Sequence, residues 1–364
     1  MNLIETKKPE PSRVSEFKLP TGVLSSAISE DEKKVACGCF DGVYLLDLGS
    51  GESVKLYAHE SYVSSVEWIS DQIIISAGFD GQLIWYDVTD KREIRKQKAH
   101  DFWSWDLAIS SDRKRIASVT GQYLAGGYRY EPAGEKEPSL RIFDAESGNA
   151  LHALPHVPSV QAVAISPDGK RVAAGNLMGE VRVFDLLTGR LIRQWTTEGF
   201  TSWGIIKSHS YLGGIFSMRF TPDGRSLLLA GMGPMRDPMA GNGRQLWEKW
   251  SVDSEEPSLL DQTHEGESGE GLMEALAVDS SLPFFVMGGR LRGGDWNAAF
   301  FDMVTGDRLA ILKTGFRITD MQFFSEGRSL LVVGATGQGK PKEGSTFKSF
   351  GRLEVYDQIR GNSA

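Results

Sequence analysis

A five-residue pattern recurs along this chain and narrows its fold more than any other feature: apolar, any residue, apolar, apolar or aromatic, then Asp. It reads VYLLD to Asp47, LIWYD to Asp87, LRIFD to Asp144, VRVFD to Asp185, AAFFD to Asp302 and LEVYD to Asp357, with a degenerate copy, WEKWS, ending at Ser251. Turns such as GSGE, TDKR, ESGN, LTGR and VTGD follow, and then another short apolar run. Upstream lies a second landmark, as in VAISPDGKRVAAG (163–175) and MRFTPDGRSLLLAG (218–231). Period-2 alternation, β-branched and aromatic enrichment, and Gly/Asp/Ser punctuation predict strand–turn–strand units. A unit of this size cannot bury its own apolar face, so its repetition predicts an array of stacked sheets.

These units resemble the WD40-repeat β-propellers. The resemblance covers nearly the whole chain as seven units, most regularly AHESYVSSVEWISDQIIISAGFDGQLIWYD and HVPSVQAVAISPDGKRVAAGNLMGEVRVFD. Asp47 and Asp87 are 40 residues apart and Asp144 and Asp185 are 41 apart, the length of one blade. His59, His100 and His156 take the family's Gly-His position, with Ala or Pro in place of glycine. The resemblance implies an all-β, seven-bladed propeller of four-stranded antiparallel blades, with strands a to d running outward from the centre. It further implies a buried polar network in blade 2 of His59, Ser76, Asp80 and Tyr86, the last where the family usually has Trp. The first unit begins with its inner strand near Leu24, so blade 7 lacks an outer strand. RVSEFKLP (13–20) is expected to supply it and close the ring, leaving residues 1–12 as a tail and 13–360 as one propeller domain.

The spacing of the landmarks shows where extra residues lie. From the end of strand a to the end of strand c the seven units span 18, 18, 34, 19, 30, 23 and 33 residues. From each c end to the next a end the distances are 22, 23, 22, 36, 28 and 22. The surplus falls in b–c connections (about 121–139, 231–245, 289–297 and 335–351) and d–a connections (197–213 and 263–271). In an antiparallel blade these two kinds of connection leave by the same edge, so the insertions are expected on one face of the disc. Loops held on a rigid scaffold are the usual place for recognition, and aromatic, Met and Arg side chains are enriched at interface hot spots. The candidate partner-binding residues on this face are Tyr62, Phe102, Trp103, Tyr123, Tyr128, Arg129, Tyr130, Phe200, Trp203, Tyr211, Met232, Met235, Arg236, Arg290, Arg292 and Trp296. About half are expected to pack on one another instead. Trp105, within strand a of blade 3, is read as packing.

Little else points to chemistry. Cys37 and Cys39 sit two apart on an extended segment and read as small buried hydrophobes. The six histidines include no H-E-x-x-H pair, and His209, within an insertion, is the one read as a candidate ligand. GQGK (337–340) lacks the spacing and hydroxyl of a phosphate loop, and no G-x-S-x-G elbow occurs. GGRLRGG (288–294) is basic and Gly-rich, yet a net charge of −8 argues against nucleic acid as the partner. No apolar stretch reaches membrane-spanning length, and the N-terminal residues lack the apolar core of a secretory signal. The expectation is therefore a cytoplasmic, non-catalytic scaffold without metal or cofactor, binding a protein or peptide through the loop-rich face, alone or within a larger complex. The alternative is an enzyme or small-ligand binder with its site at the mouth of the central channel.

Overall fold

Each repeat unit folds into a four-stranded antiparallel sheet, and seven such sheets form the ring. The computed structural model describes residues 8–121, 135–200, 214–237, 242–267, 271–291, 295–336 and 350–359. Strands a, from blade 1 to blade 7, are Val23–Ile28, Val63–Trp68, Ser104–Ile109, Val160–Ile165, Gly214–Phe220, Gly271–Val278 and Arg317–Phe324. They lie side by side around a central channel, with blade 7 against blade 1.

The recurring Asp has a local task. At the end of strand c its carboxylate turns back over the hairpin: Asp185 Oδ1 accepts the backbone N–H of Leu187 (3.1 Å) and Thr188 (2.7 Å) and the Thr188 hydroxyl (2.8 Å). Asp47, Asp87, Asp144 and Asp302 cap their turns in the same way. Gly189 closes the LTGR turn at φ 70°, a left-handed conformation that a side chain would strain. The a–b turns are similarly self-contained. In SPDG, for example, Asp168 Oδ1 accepts the Ser166 hydroxyl (2.6 Å) and the Lys170 N–H (3.1 Å).

The apolar alternation of the strands fills seven interblade cores, one in each gap of the ring. Blade 2 meets blade 3, for instance, through Ile75, Leu83 and Trp85 against Leu107, Ile116 and Phe143. Cys37 and Cys39 are fully buried in the core shared by blades 7 and 1, and burial pushes both thiols well above their ordinary range.

The ring is closed by the N-terminal strand Ser12–Leu19, which pairs antiparallel with strand c of blade 7, Gly351–Asp357, one residue earlier than expected from the sequence. Arg13 Nη1 donates to Glu354 Oε1 (2.5 Å) across this seam, and Tyr356 donates to the other oxygen of Glu354. Leu19 has no solvent exposure.

Two expectations need correction. The blade 5 insertion at 231–245 is mostly strand: strands b (Ser226–Asp237) and c (Asn242–Ser251) extend to 12 and 10 residues and pair almost to their tips. In blade 2, the register places Tyr86 opposite Ile74, two residues along from Ser76, so its hydroxyl is not part of the polar network. Tyr57, at the end of strand d of blade 1, donates or accepts at Ser76 Oγ (2.8 Å) and stacks on Tyr86 with ring centroids 4.5 Å apart. The remainder of that network stands: His59 Nδ1 lies 3.0 Å from both Asp80 oxygens and Nε2 lies 2.7 Å from Ser76 Oγ.

Candidate functional site

Every strand a carries a β-bulge against strand b at the same position. The bulged residues are Leu24, Ser64, Trp105, Gln161, Phe216, Glu274 and Thr319. A bulge leaves one residue outside the ladder and re-aims its side chain. All seven line the mouth of the channel on the b–c and d–a face, around a cavity of about 420 Å³.

Beside this mouth, aromatic rings form a continuous run over four blades. Phe350 meets Phe40 (centroids 5.7 Å apart), Phe40 stacks on Tyr62 (4.7 Å), Tyr62 meets Phe79 (6.0 Å), Phe79 stacks on Trp103 (4.8 Å, planes 12° apart), and Trp103 stacks on Phe102 (5.1 Å). Trp105 packs edge-on against Phe79 and Trp103, at 5.0 and 5.2 Å. Its indole N–H donates to Gly121 O, so it is packing, as expected, while also lining the mouth. Tyr62 and Trp103 remain 46% and 41% exposed, an unusual state for side chains this large.

The segment bearing Phe102 and Trp103 is held from below. Glu137 Oε1 accepts the backbone N–H groups of Asp101 (2.8 Å) and Phe102 (3.1 Å). Glu137 stands where blade 2 has Asp80, but its other oxygen is 3.8 Å from His100 Nδ1 rather than within hydrogen-bond reach. Neighbouring Glu135 Oε1 accepts the N–H groups of Ser139 and His156. Both carboxylates therefore pin the C-terminal stem of the blade 3 insertion to the d–a connections of blades 3 and 4. Burial holds His100 at about 3 and His156 at about 4, so both are neutral. His156 reaches only the carbonyls of Val157 and Ala174.

Deeper in the mouth the lining becomes charged. Asp106 accepts the N–H groups of Leu107 (2.8 Å) and Val163 (3.0 Å) and the Ser65 hydroxyl (3.1 Å), so it ties three blades together. Asp320 does the same between blades 7 and 1, accepting from Met321 N and from Ser26 N and Oγ. Glu67 and Arg219 occupy corresponding positions two residues further along their strands and line the channel from both ends. Burial pushes the Glu67 carboxyl up to about 8, with Arg219 opposing and Asp320 and Asp106 adding to the rise. Burial also raises Asp106 and Asp320 against the pull of Arg219 and their N–H donors. Glu274 is paired with Arg317.

Of the residues singled out in the sequence, the structure brings Tyr62, Phe102 and Trp103 together. Phe200 is fully buried in the blade 4–5 core, in the 3-10 turn Glu198–Phe200. Met232 is buried within blade 5. Trp296 is 9% exposed, packed in the blade 5–6 core with the Arg308 guanidinium 5.7 Å from its ring centre. Phe200 and Trp296 face inward because an interblade core lies behind each of them, which residue type alone does not reveal. Arg290 is exposed on strand b of blade 6, Phe284–Leu291. Met235 and Arg236 lie on the extended strand b of blade 5. Tyr123, Tyr128, Arg129, Tyr130, Trp203, Tyr211, Arg292 and His209 lie outside the described residues.

Sequence reasoning passed over Phe40 and Phe79, although both stand in repeated Phe-Asp-Gly turns (40–42 and 79–81). It also passed over Glu67, Asp106, Arg219 and Asp320. A charge in the middle of an otherwise apolar innermost strand was the available signal. Among the described residues, no group of three or more His, Cys, Asp or Glu side chains is placed to hold a metal ion, and no helix is long and apolar enough to cross a membrane.

Comparison with known proteins adds a family match. Residues 51–87 match the model of the WD domain, G-beta repeat. The chain is 28% identical over 167 residues to telomerase protein component 1 of Mus musculus, covering 45% of this chain and 6% of that protein. It is 27% identical over 186 residues to apoptotic protease-activating factor 1 of Rattus norvegicus (50% and 13%). It is 26% identical over 225 residues to the guanine nucleotide-binding protein subunit beta of Zea mays (57% and 54%). The matched region thus spans about half of that subunit and a small part of the two larger proteins.

Proposed function

We propose that this chain, a seven-bladed WD40-repeat β-propeller, is a non-catalytic recognition scaffold that binds a protein or peptide through its b–c and d–a face. The observation that carries this reading is the run of rings from Phe350 to Phe102, with Tyr62 and Trp103 left 46% and 41% exposed beside the channel mouth. Apolar surface in water costs roughly 25 cal/mol per Å², and contiguous exposed patches mark interaction sites. The opposite face bears exposed apolar side chains singly, such as Leu187 (77%) and Val304 (84%) in the c–d turns, an ordinary arrangement. The names of the relatives point the same way: one is a component of telomerase and another a subunit of a guanine nucleotide-binding protein.

A photo-reactive amino acid placed at Tyr62 or Trp103, and in parallel at Leu187 or Val304, tests the reading in extract of the source cells. The expected outcome is a discrete crosslinked partner from the first pair of sites only. Crosslinking of the same partner from Leu187 or Val304 alone would move the working surface to the other face.

A further inference from the structure

We propose that the channel mouth and the rings beside it accept an extended, positively charged segment of a partner protein. Its apolar side chains lie over Tyr62 and Trp103, and a lysine or arginine points into the mouth. This rests on the recognition reading above and names the chemistry of the occupant.

Three observations converge on a basic segment. The first is the charge of the lining. Four carboxylates, Glu67, Asp106, Glu274 and Asp320, line the mouth with two guanidinium groups, Arg219 and Arg317. Arg317 is engaged by Glu274 and burial keeps Glu67 largely protonated at neutral pH, which leaves the Asp106 and Asp320 carboxylates facing Arg219 alone. The second is the rim. The faces of Trp and Tyr rings attract a cation; exposed Tyr62 lines the mouth, and exposed Trp103 stacks on Phe79, which also lines it. The third is the field of the whole chain, which carries a net charge of −8 and draws in a cationic partner while repelling an anionic one.

The shape favours an extended segment over a folded surface. Centroid steps of 6.0 and 4.8 Å through Phe79 separate Tyr62 from Trp103. A chain rising about 3.1–3.4 Å per residue covers that span with two or three residues. Two apolar side chains on one edge of such a strand can therefore sit on the two exposed rings. The cavity of about 420 Å³ has room for one long side chain.

The test uses the full chain and synthetic nonapeptide pools, fluorescently labelled and identical except at the central position. Those pools carry Arg, Lys, Gln or Glu at the centre and mixed apolar residues on either side, and binding is read by fluorescence polarisation. The expected result is at least tenfold tighter binding of the Arg and Lys pools than of the Gln and Glu pools, weakening as salt is raised. Tyr62→Ala and Trp103→Ala should each reduce it, whereas Val304→Ser should not. Melting curves of the variants keep loss of binding separate from loss of folding, and Trp103→Phe, which retains a ring, should keep most of the affinity. Equal or tighter binding of the Gln or Glu pools, still sensitive to Trp103→Ala, would overturn this inference and leave the working face intact. Binding that responds only to Val304→Ser would overturn both. No binding of any pool would also overturn it, since the mouth would then not accept an isolated extended segment.

Discussion

On the face formed by the a–b and c–d turns, polar groups are satisfied locally. Asp47, Asp144 and Asp185 each accept from the turn that follows, and the N–H groups of Ser50, Ser147 and Thr188 respectively are the foremost cause holding these carboxyls below their usual range. On the face formed by the b–c and d–a connections, the bulges turn side chains toward the channel mouth, and large rings stay partly in water. Both faces belong to the same seven sheets. Among the described residues, the turns of one side satisfy their own polar groups, whereas the seven bulges and the partly exposed rings lie on the other.

The largest way to break both faces together is to open the ring. Removing residues 1–19 deletes the outer strand of blade 7, its pairing with Gly351–Asp357, and the buried Leu19. Chemical denaturation should register a loss on the order of 5 kcal/mol or more, comparable with the whole stability of many domains.

Next in size is a pair of tryptophans that separates core from surface. Trp296→Ala empties a site in the blade 5–6 core and should cost about 3–4 kcal/mol. Trp103→Ala, on the exposed run, should cost no more than about 1 kcal/mol while weakening partner binding. Equal losses of stability from the two would erase the distinction between the faces.

A smaller effect reports on the channel between the faces. Glu67 has its carboxyl raised from 4.5 to about 8 by burial, so folding favours its protonated form. Its contribution is fully present below about pH 4.5 and is lost as pH rises toward about 8. Glu67→Gln lacks that loss, so its stability relative to the parent chain should improve steadily between pH 5 and pH 8 and then level off. A pH-independent difference would show that Glu67 is well solvated. Smallest of all, Asp185→Ala removes one turn cap and should cost about 1 kcal/mol, with no change in partner binding.

Much of the fold was legible because a repeat writes the same physics several times over. The closing Asp, the Pro-Asp-Gly turn and the alternation each recur, so one irregular copy such as WEKWS does not obscure them. The closing strand followed from counting strands against the four-stranded blades that the resemblance implies. The site was less legible, for identifiable reasons. Phe200 and Trp296 are of the residue types that make interfaces, yet they also make interblade cores, and only the three-dimensional neighbours distinguish the two. Asp106 and Asp320 follow a bulge, which breaks the period-2 rule that assigns side chains to faces. Tyr57 was hidden at the end of an outer strand, where sequence spacing gives no hint that it reaches Ser76 in the next blade.

The aromatic run is proposed as a working surface and not a structural one. The most direct measurement is the partner affinity of a Tyr62→Ala, Trp103→Ala double variant, taken together with its unfolding free energy. The predicted result is at least a tenfold loss of affinity with stability unchanged to within about 1 kcal/mol. Unchanged affinity, or a loss that merely tracks unfolding, would contradict it.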